Sequence, residues 1–237
     1  MSRVTHHDEF EPRGIRFSGL EKNRKGGKVV YLSLNEVTSS ARQRITIQTP
    51  VVALPFGVTP YQEASTGEIQ SYSVDMSFNG YDVAGSPIAR FLDKMRALDE
   101  TILDAAVANS KEWFGKQMSR EIVAEFYRKL VRDPSDPKYS PVMRTKVQLN
   151  NGEPAALFFG EDRQPRTIDY VTKRSSVMMI LELDRLWFVN KNFGCTWRVL
   201  QLKVCSKPRH LEGYSFQDDD GDADGAVDAD MPDELLA

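Results

Sequence analysis

Residues 69–78 read IQSYSVDMSF, and residues 86–110 read SPIARFLDKMRALDETILDAAVANS. The change of period between them decides the fold class. In the first stretch Tyr72, Val74, Met76 and Phe78 alternate with Ser71, Ser73, Asp75 and Ser77, so a strand buries one face and wets the other. In the second, Ile88, Phe91, Leu92, Met95, Leu98, Ile102, Ala105 and Ala106 recur every three or four residues. Ser86 is placed to cap that helix, and Pro87 takes its first position. A second helix is predicted from Ser119 to about Arg132, with Ile122, Val123, Phe126 and Leu130 inward. The three prolines of RDPSDPKYSP, residues 132–141, end it.

Strand patterns flank the helices on both sides. Upstream lie KVVYLSL (28–34) and ARQRITIQTPVVAL (41–54), where Ile45 and Ile47 alternate with Arg42, Arg44, Thr46 and Gln48. Downstream lie VMRTKVQL (142–149), AALFFG (155–160), SSVMMILELDRLWFV (175–189) and CTWRVLQLKVCS (195–206). Asn151-Gly152 is a strong hairpin signal between the first two. No βαβ alternation and no internal repeat is present. The order predicts an α+β fold, mainly antiparallel β. Five or more strands with a helical insertion after the third suit a small closed barrel of the OB type, which removes its own sheet edges. The chain then divides into a basic, flexible arm (1–27), an OB-fold-like domain (28–211, helical insertion about 86–132) and a tail (212–237).

The formal net charge of -3 conceals two opposite halves. From Glu212 onward there are ten acids and no base, leaving 24 acids against all 31 Lys and Arg before it, a net of +7. A basic body joined to a strongly acidic tail points to a polyanion-binding surface with its own mimic attached. The start MSRVTHHDEFEPRG carries charges where a secretory signal needs an apolar core. The longest apolar run, VVALPFGV, falls far short of the roughly 20 residues that span a bilayer. A soluble, intracellular protein without membrane contact is expected.

The residue inventory argues against catalysis, metals and cofactors. Asp99 and Glu100 are adjacent acids, but helical spacing predicts that they join Asp93 and Lys94 on a solvated face. His6, His7 and His210 lie near the ends of the body, and no HExxH-type motif is present. Around Gly19, Gly26 and Lys28 both the spacing and the terminal residue of a Walker A loop fail. Cys195 and Cys205 are too far apart along one strand to bridge, and are expected as buried free thiols. In the tail, Asp220, Asp222, Asp224 and Gly225 match the opening of a calcium loop. Its twelfth position, where a bidentate acid is required, is Met231. A folded calcium site is therefore not expected, and the tail is read as disordered and partner-binding, through Asp218, Asp219, Asp220, Leu235 and Leu236.

Binding is better supported. If Leu200, Leu202 and Val204 pack inward, then Trp197, Val199, Gln201 and Lys203 share the opposite face. A strand that exposes an aromatic and a lysine in line offers a base something to stack on and a phosphate something to meet. Arg42 with Arg44, Arg144 with Lys146, Lys173 with Arg174, and Lys191 beside Phe193 repeat the combination. KEWFGK, residues 111–116, is expected to anchor the helices in the core through Trp113 and Phe114.

Four stretches resemble the single-stranded DNA-binding proteins of nucleocytoplasmic large DNA viruses: TPVVALPFGVTPY (49–61), YSVDMSF (72–78), LDETILDAAVANSKEWFGKQMSREIV (98–123) and LWFVNKNFGCTWRVLQLKV (186–204). Together they run from about Arg44 to Lys203. The resemblance implies an OB-fold that coats single-stranded DNA during viral replication without catalysis, at the host nucleus or a cytoplasmic replication site. The chain also looks like phage replication proteins that pair an OB-fold with an acidic tail. That implies replication partners (a polymerase, a helicase-primase) reached through the tail, and a possible homo-oligomer. No residue-level site is carried over from either family. The competing classes are a virion or scaffold protein acting through protein contacts, and a calcium-dependent module.

Overall fold

The computed structural model describes residues 4–34 and 43–208. Arg42 and the tail residues Asp218, Asp219, Asp220, Leu235 and Leu236 lie outside them. In chain order the strands used below are β1 (Lys28–Ser33), β2 (Ile45–Gln48), β3 (Val52–Leu54), β4 (Val58–Gln62), β5 (Ile69–Ser77), β6 (Tyr127–Arg128), β7 (Val142–Asn150), β8 (Ser175–Leu183), β9 (Arg185–Val189), β10 (Asn192–Cys195) and β11 (Trp197–Ser206). The helices α1 (Pro87–Ala108), α2 (Ser110–Phe114) and α3 (Arg120–Phe126) stand between β5 and β7.

Five strands close a ring. β2 and β3 act as one strand interrupted at Pro50, and β3 pairs β5. β5 runs antiparallel to β7, β7 parallel to β11, β11 antiparallel to β8, and β8 returns to β2 and β3. Counted along the chain, the ring order is first, second, third, fifth, fourth and back to first. This α+β chain is thus an OB-like barrel, with β4 and the β9–β10 hairpin as elaborated connections. Closure explains the alternation in the sequence: Val74, Met76, Met143, Val147, Leu181 and Val204 point inward and are buried.

A second sheet lies outside the ring, in the order β1, β9, β10, β6. Lys28–Ser33 belongs to it, so the helical insertion follows the second barrel strand rather than the third. α1 keeps its predicted start: Ser86 Oγ accepts from Ala89 N at 3.0 Å with Pro87 behind it. Its apolar face, from Phe91 to Ala106, is buried as the spacing required. α3 stops six residues early, at Phe126, because Tyr127 and Arg128 pair with β10. Ile122, expected inward, is exposed while Val123 is buried.

Two further expectations are corrected. Asp99 is buried, accepting from Tyr127 Oη at 2.7 Å and from Leu130 N and Val131 N at 2.9 and 3.2 Å. It ties α1 to the chain after α3, and its burial raises the carboxyl pKa. Residues 4–27, expected as a flexible arm, are docked on the body. Phe10 is fully buried with its ring edge-on to Trp197 at 6.1 Å, and Thr5–His6 pairs β2. The aromatic and aliphatic residues scattered through a polar segment anchor it, which a compositional reading underweights. No described helix is long and apolar enough to cross a membrane.

Candidate nucleic-acid interface

One row of paired residues crosses the outside of the barrel. Thr59 on β4 pairs Ser73 on β5, which pairs Lys146 on β7. Lys146 pairs Arg198 on β11, Arg198 pairs Glu182 on β8, and Glu182 pairs Thr46 on β2. Directly paired residues share a sheet face, so the row presents one outward band. Neighbouring rows add Asp75 opposite Arg144, and Tyr61, Ser71 and Gln148. The next row on the opposite face, Val58, Val74, Thr145 and Trp197, is turned into the barrel.

The β9–β10 hairpin stands beside this band. On β9, Arg185 and Trp187 share a face, and Trp187 pairs Gly194. Together the two surfaces line adjoining cavities of about 320 and 360 Å³ that share Lys146, Trp187 and Thr196. The first is lined by five bases (Arg128, Lys129, Arg132, Arg144 and Lys146) and no acid, with Tyr61 and Trp187 as its rings. Tyr61 is 59% exposed, and Lys146 Nζ stands 5.7 Å from its ring centre. Trp187 is half-buried and donates from Nε1 to Thr196 Oγ1 at 3.3 Å. Gly194 gives that indole its seat: a Cβ there would lie 3.0 Å from Trp187 Cζ2 and 3.0 Å from the Arg128 carbonyl.

Two acids organise the cations. Asp75 accepts from Arg144 Nε and Nη2 at 2.8 and 2.7 Å and from Arg132 Nη2 at 3.1 Å. Burial raises its pKa, but the Arg144 hydrogen bonds and the two guanidinium charges outweigh that, and the net shift is downward. Asp75 is thus a fixed anion holding two guanidinium groups at the rim. Glu182 plays the same part between Arg198 and Arg44, the latter at 3.4 Å, while Arg198 also donates to Gln148 Oε1 at 3.0 Å. Among the described residues Arg128, Lys129 and Lys146 form no ion pair and are available to an incoming anion.

Of the sequence-predicted residues, the structure brings Arg144 and Lys146 into this groove and places Arg44 at its edge, on Glu182. Trp197 is fully buried, so its reading as an exposed stacking ring is corrected. The cause is a β-bulge: Ile180 pairs Gln201 but Leu181 pairs Val199, leaving Leu200 unmatched. The extra residue reverses the alternation, so Trp197 and Val199 point inward before it and Leu202 and Val204 after it. Lys203 lies beyond the bulge, opposite Met178 and Phe159, away from the groove. Phe193 is also corrected: it is fully buried between Tyr127 at 5.1 Å and Phe114 at 5.2 Å. Lys191 is exposed at the hairpin tip, beside a different cavity floored by Trp113, Phe114 and Phe188. Trp113 is buried, as KEWFGK suggested. Lys173 and Arg174 are exposed in the turn before β8, outside the groove.

Sequence reasoning missed Tyr61, Arg128, Lys129, Arg132, Arg185, Trp187 and Arg198. A usable signal existed for one pair: in RLWFV, Arg185 and Trp187 share parity with each other and not with Leu186. Cys195 and Cys205 are free, and burial pushes the Cys195 thiol well up, which keeps it protonated. Among the described residues one group, His6, His7 and Asp8, brings metal-donor atoms within 4.8 Å. Both Asp8 oxygens are already engaged by Arg90, at 2.8 and 3.2 Å, which fits an ion pair rather than a metal centre.

A profile for a family of unknown function, DUF5871, matches residues 88–218. None of the curated proteins matches the chain. Among solved structures the chain is similar to a single-stranded DNA-binding protein from bacteriophage Enc34 in complex with single-stranded DNA, at 10% identity and TM-score 0.43, covering 82% of this chain and 98% of that one. It is also similar to gp2.5, a single-stranded DNA-binding protein encoded by bacteriophage T7, at 11% identity and TM-score 0.48, covering 73% and 98%.

Proposed function

We propose that this chain, which belongs to DUF5871, a family of unknown function, binds single-stranded DNA without regard to sequence. The observation that carries the reading is the groove itself. Two accessible rings, Tyr61 and Trp187, flank a lysine and a set of arginines on the outer face of the second and third barrel strands and on the connections that flank the ring. That is where an OB barrel offers an oligonucleotide its platform. Bases stack on the rings, worth roughly 1–3 kcal/mol each and tolerant of sequence, while Lys146, Arg128 and Lys129 meet the phosphates. No nucleophile or acid–base pair is needed, so the role is that of a non-enzymatic coat that protects single strands during replication, recombination or repair. The resemblance to proteins of nucleocytoplasmic large DNA viruses would place that replication in a viral setting.

The acidic tail fits the same reading as a competitor for the groove. Displaced by DNA, its Asp218–Asp220 run and its Leu235–Leu236 end would be free to meet replication partners. A virion or scaffold protein is the alternative, favoured by the separate, aromatic-floored cavity near Lys191, where a protein partner could dock.

Quenching of tryptophan fluorescence by oligo(dT) tests the groove. The expected result is saturable quenching that is reversed by salt and far weaker with duplex. Binding with no preference for single strands and no salt dependence would support the scaffold alternative instead.

A further inference from the structure

Lys173 and Arg174 lie outside the groove, but they are not isolated. The turn that carries them is packed against the turn Pro55–Gly57, which holds Phe56 out to solvent at 57% exposure. Leu54 O accepts from Arg174 N at 2.7 Å and from Gly57 N at 3.3 Å. Gly57 has φ +67°, and a Cβ there would lie 2.9 Å from Lys173 N, so only glycine permits this approach. The two turns thus form one rigid piece that presents an exposed ring beside two cations. Among the described residues neither cation pairs with a carboxylate. Arg174 itself sits at φ 64°, in the left-handed region that a glycine or asparagine would occupy more comfortably. Retaining a long cation in a conformation that disfavours it points to a use for its charge.

We propose that Phe56, Lys173 and Arg174 form a second base-and-phosphate subsite for the same single strand that occupies the groove. This inference rests on the DNA-binding reading above and sets the length of DNA that one molecule engages. β4 links the two subsites: Phe56 and Tyr61 are five residues apart, and with Phe56 and Gly57 in the turn before the strand the span is at most ~16 Å at ~3.3 Å per residue. At ~3.4 Å per nucleotide of a stacked strand, the gap corresponds to at most about five nucleotides. Thr59, Pro60, Tyr61 and Gln62 along the way are all exposed, so nothing on β4 interrupts the path.

Oligo(dT) of about 3 and about 15 nucleotides separates the subsites, because only the longer strand spans both. The readout is fluorescence anisotropy with the full chain. Phe56→Ala is expected to leave the short oligonucleotide unaffected and to weaken the long one about tenfold. Arg174→Gly relaxes the backbone, so its melting temperature is expected to equal or exceed the parent's while its long-strand affinity and salt slope fall. If Phe56→Ala binds both lengths as the parent does while Tyr61→Ala weakens both, the subsite is wrong and the groove stands. Equal losses on both lengths likewise overturn the second subsite. If the parent binds neither length, the groove reading has failed and this inference with it.

Discussion

Two tryptophans separate stability from recognition. Trp197 fills the barrel, fully buried, with no acceptor for Nε1 among the described residues. Trp187 lies half-exposed in the groove with Nε1 held by Thr196. Trp197→Ala is therefore expected to cost about 3–5 kcal/mol of stability, read by urea denaturation, rather than to act through stacking. Trp187→Ala and Tyr61→Ala are each expected to weaken oligo(dT) binding by roughly 1–3 kcal/mol with the salt slope unchanged. Lys146→Ala should instead reduce the slope of log affinity against log salt by about 1. Equal effects of all three on affinity and slope would show that rings and cations do not divide the work in this way. Asp99 supplies a pH test of the fold. Its folded pKa is raised by burial, so its contribution is full below the ordinary value of 3.8 and declines as pH rises through the raised one. Asp99→Asn, which keeps an acceptor for Tyr127 and Leu130, should flatten that part of the stability profile.

At the level of elements, the alternating pattern of IQSYSVDMSF was legible and true, and so were the start and apolar face of α1. What the sequence could not disclose was any change of parity within a strand. The bulge at Leu200 carries no glycine or proline to announce it, yet it turns Trp197 inward and Arg198 outward. The same blindness ended α3 too late, since Tyr127 and Arg128 suit a helix locally and become strand only through pairing with β10. Half the groove depends on that pairing, because β6, β9 and β10 supply Arg128, Trp187 and the glycine beneath it. Gly194→Ala is accordingly expected to move the indole without unfolding the chain, since a methyl there meets both Trp187 and the Arg128 backbone at 3.0 Å. The checks are a changed tryptophan emission maximum and weaker oligo(dT) binding at a nearly constant melting temperature. An unchanged spectrum and affinity would mean that Gly194 does not set the ring's position.

For the whole molecule, the division of charge was the clearest signal in the sequence. The net of +7 before Glu212 finds a physical counterpart in a cavity lined by five bases and no acid. Which bases gather there was legible only for Arg144 and Lys146, because Arg128, Lys129 and Arg132 come from one short stretch after α3 that the sequence pattern assigns to the second helix. Removing residues 213–237 takes away nine of the ten tail acids. It is expected to tighten single-strand binding most at low salt, where screening is weakest; affinity unchanged across salt would exclude competition by the tail. The central claim, that single-stranded DNA lies in the groove between the barrel face and the β9–β10 hairpin, is tested most directly by photo-crosslinking. The full chain is irradiated with an oligonucleotide carrying bromodeoxyuridine, and the attached peptides are identified by mass spectrometry. Crosslinks at Tyr61 and Trp187, lost in high salt, are the predicted result; crosslinks confined to the cavity beside Lys191 and Phe188 would contradict it.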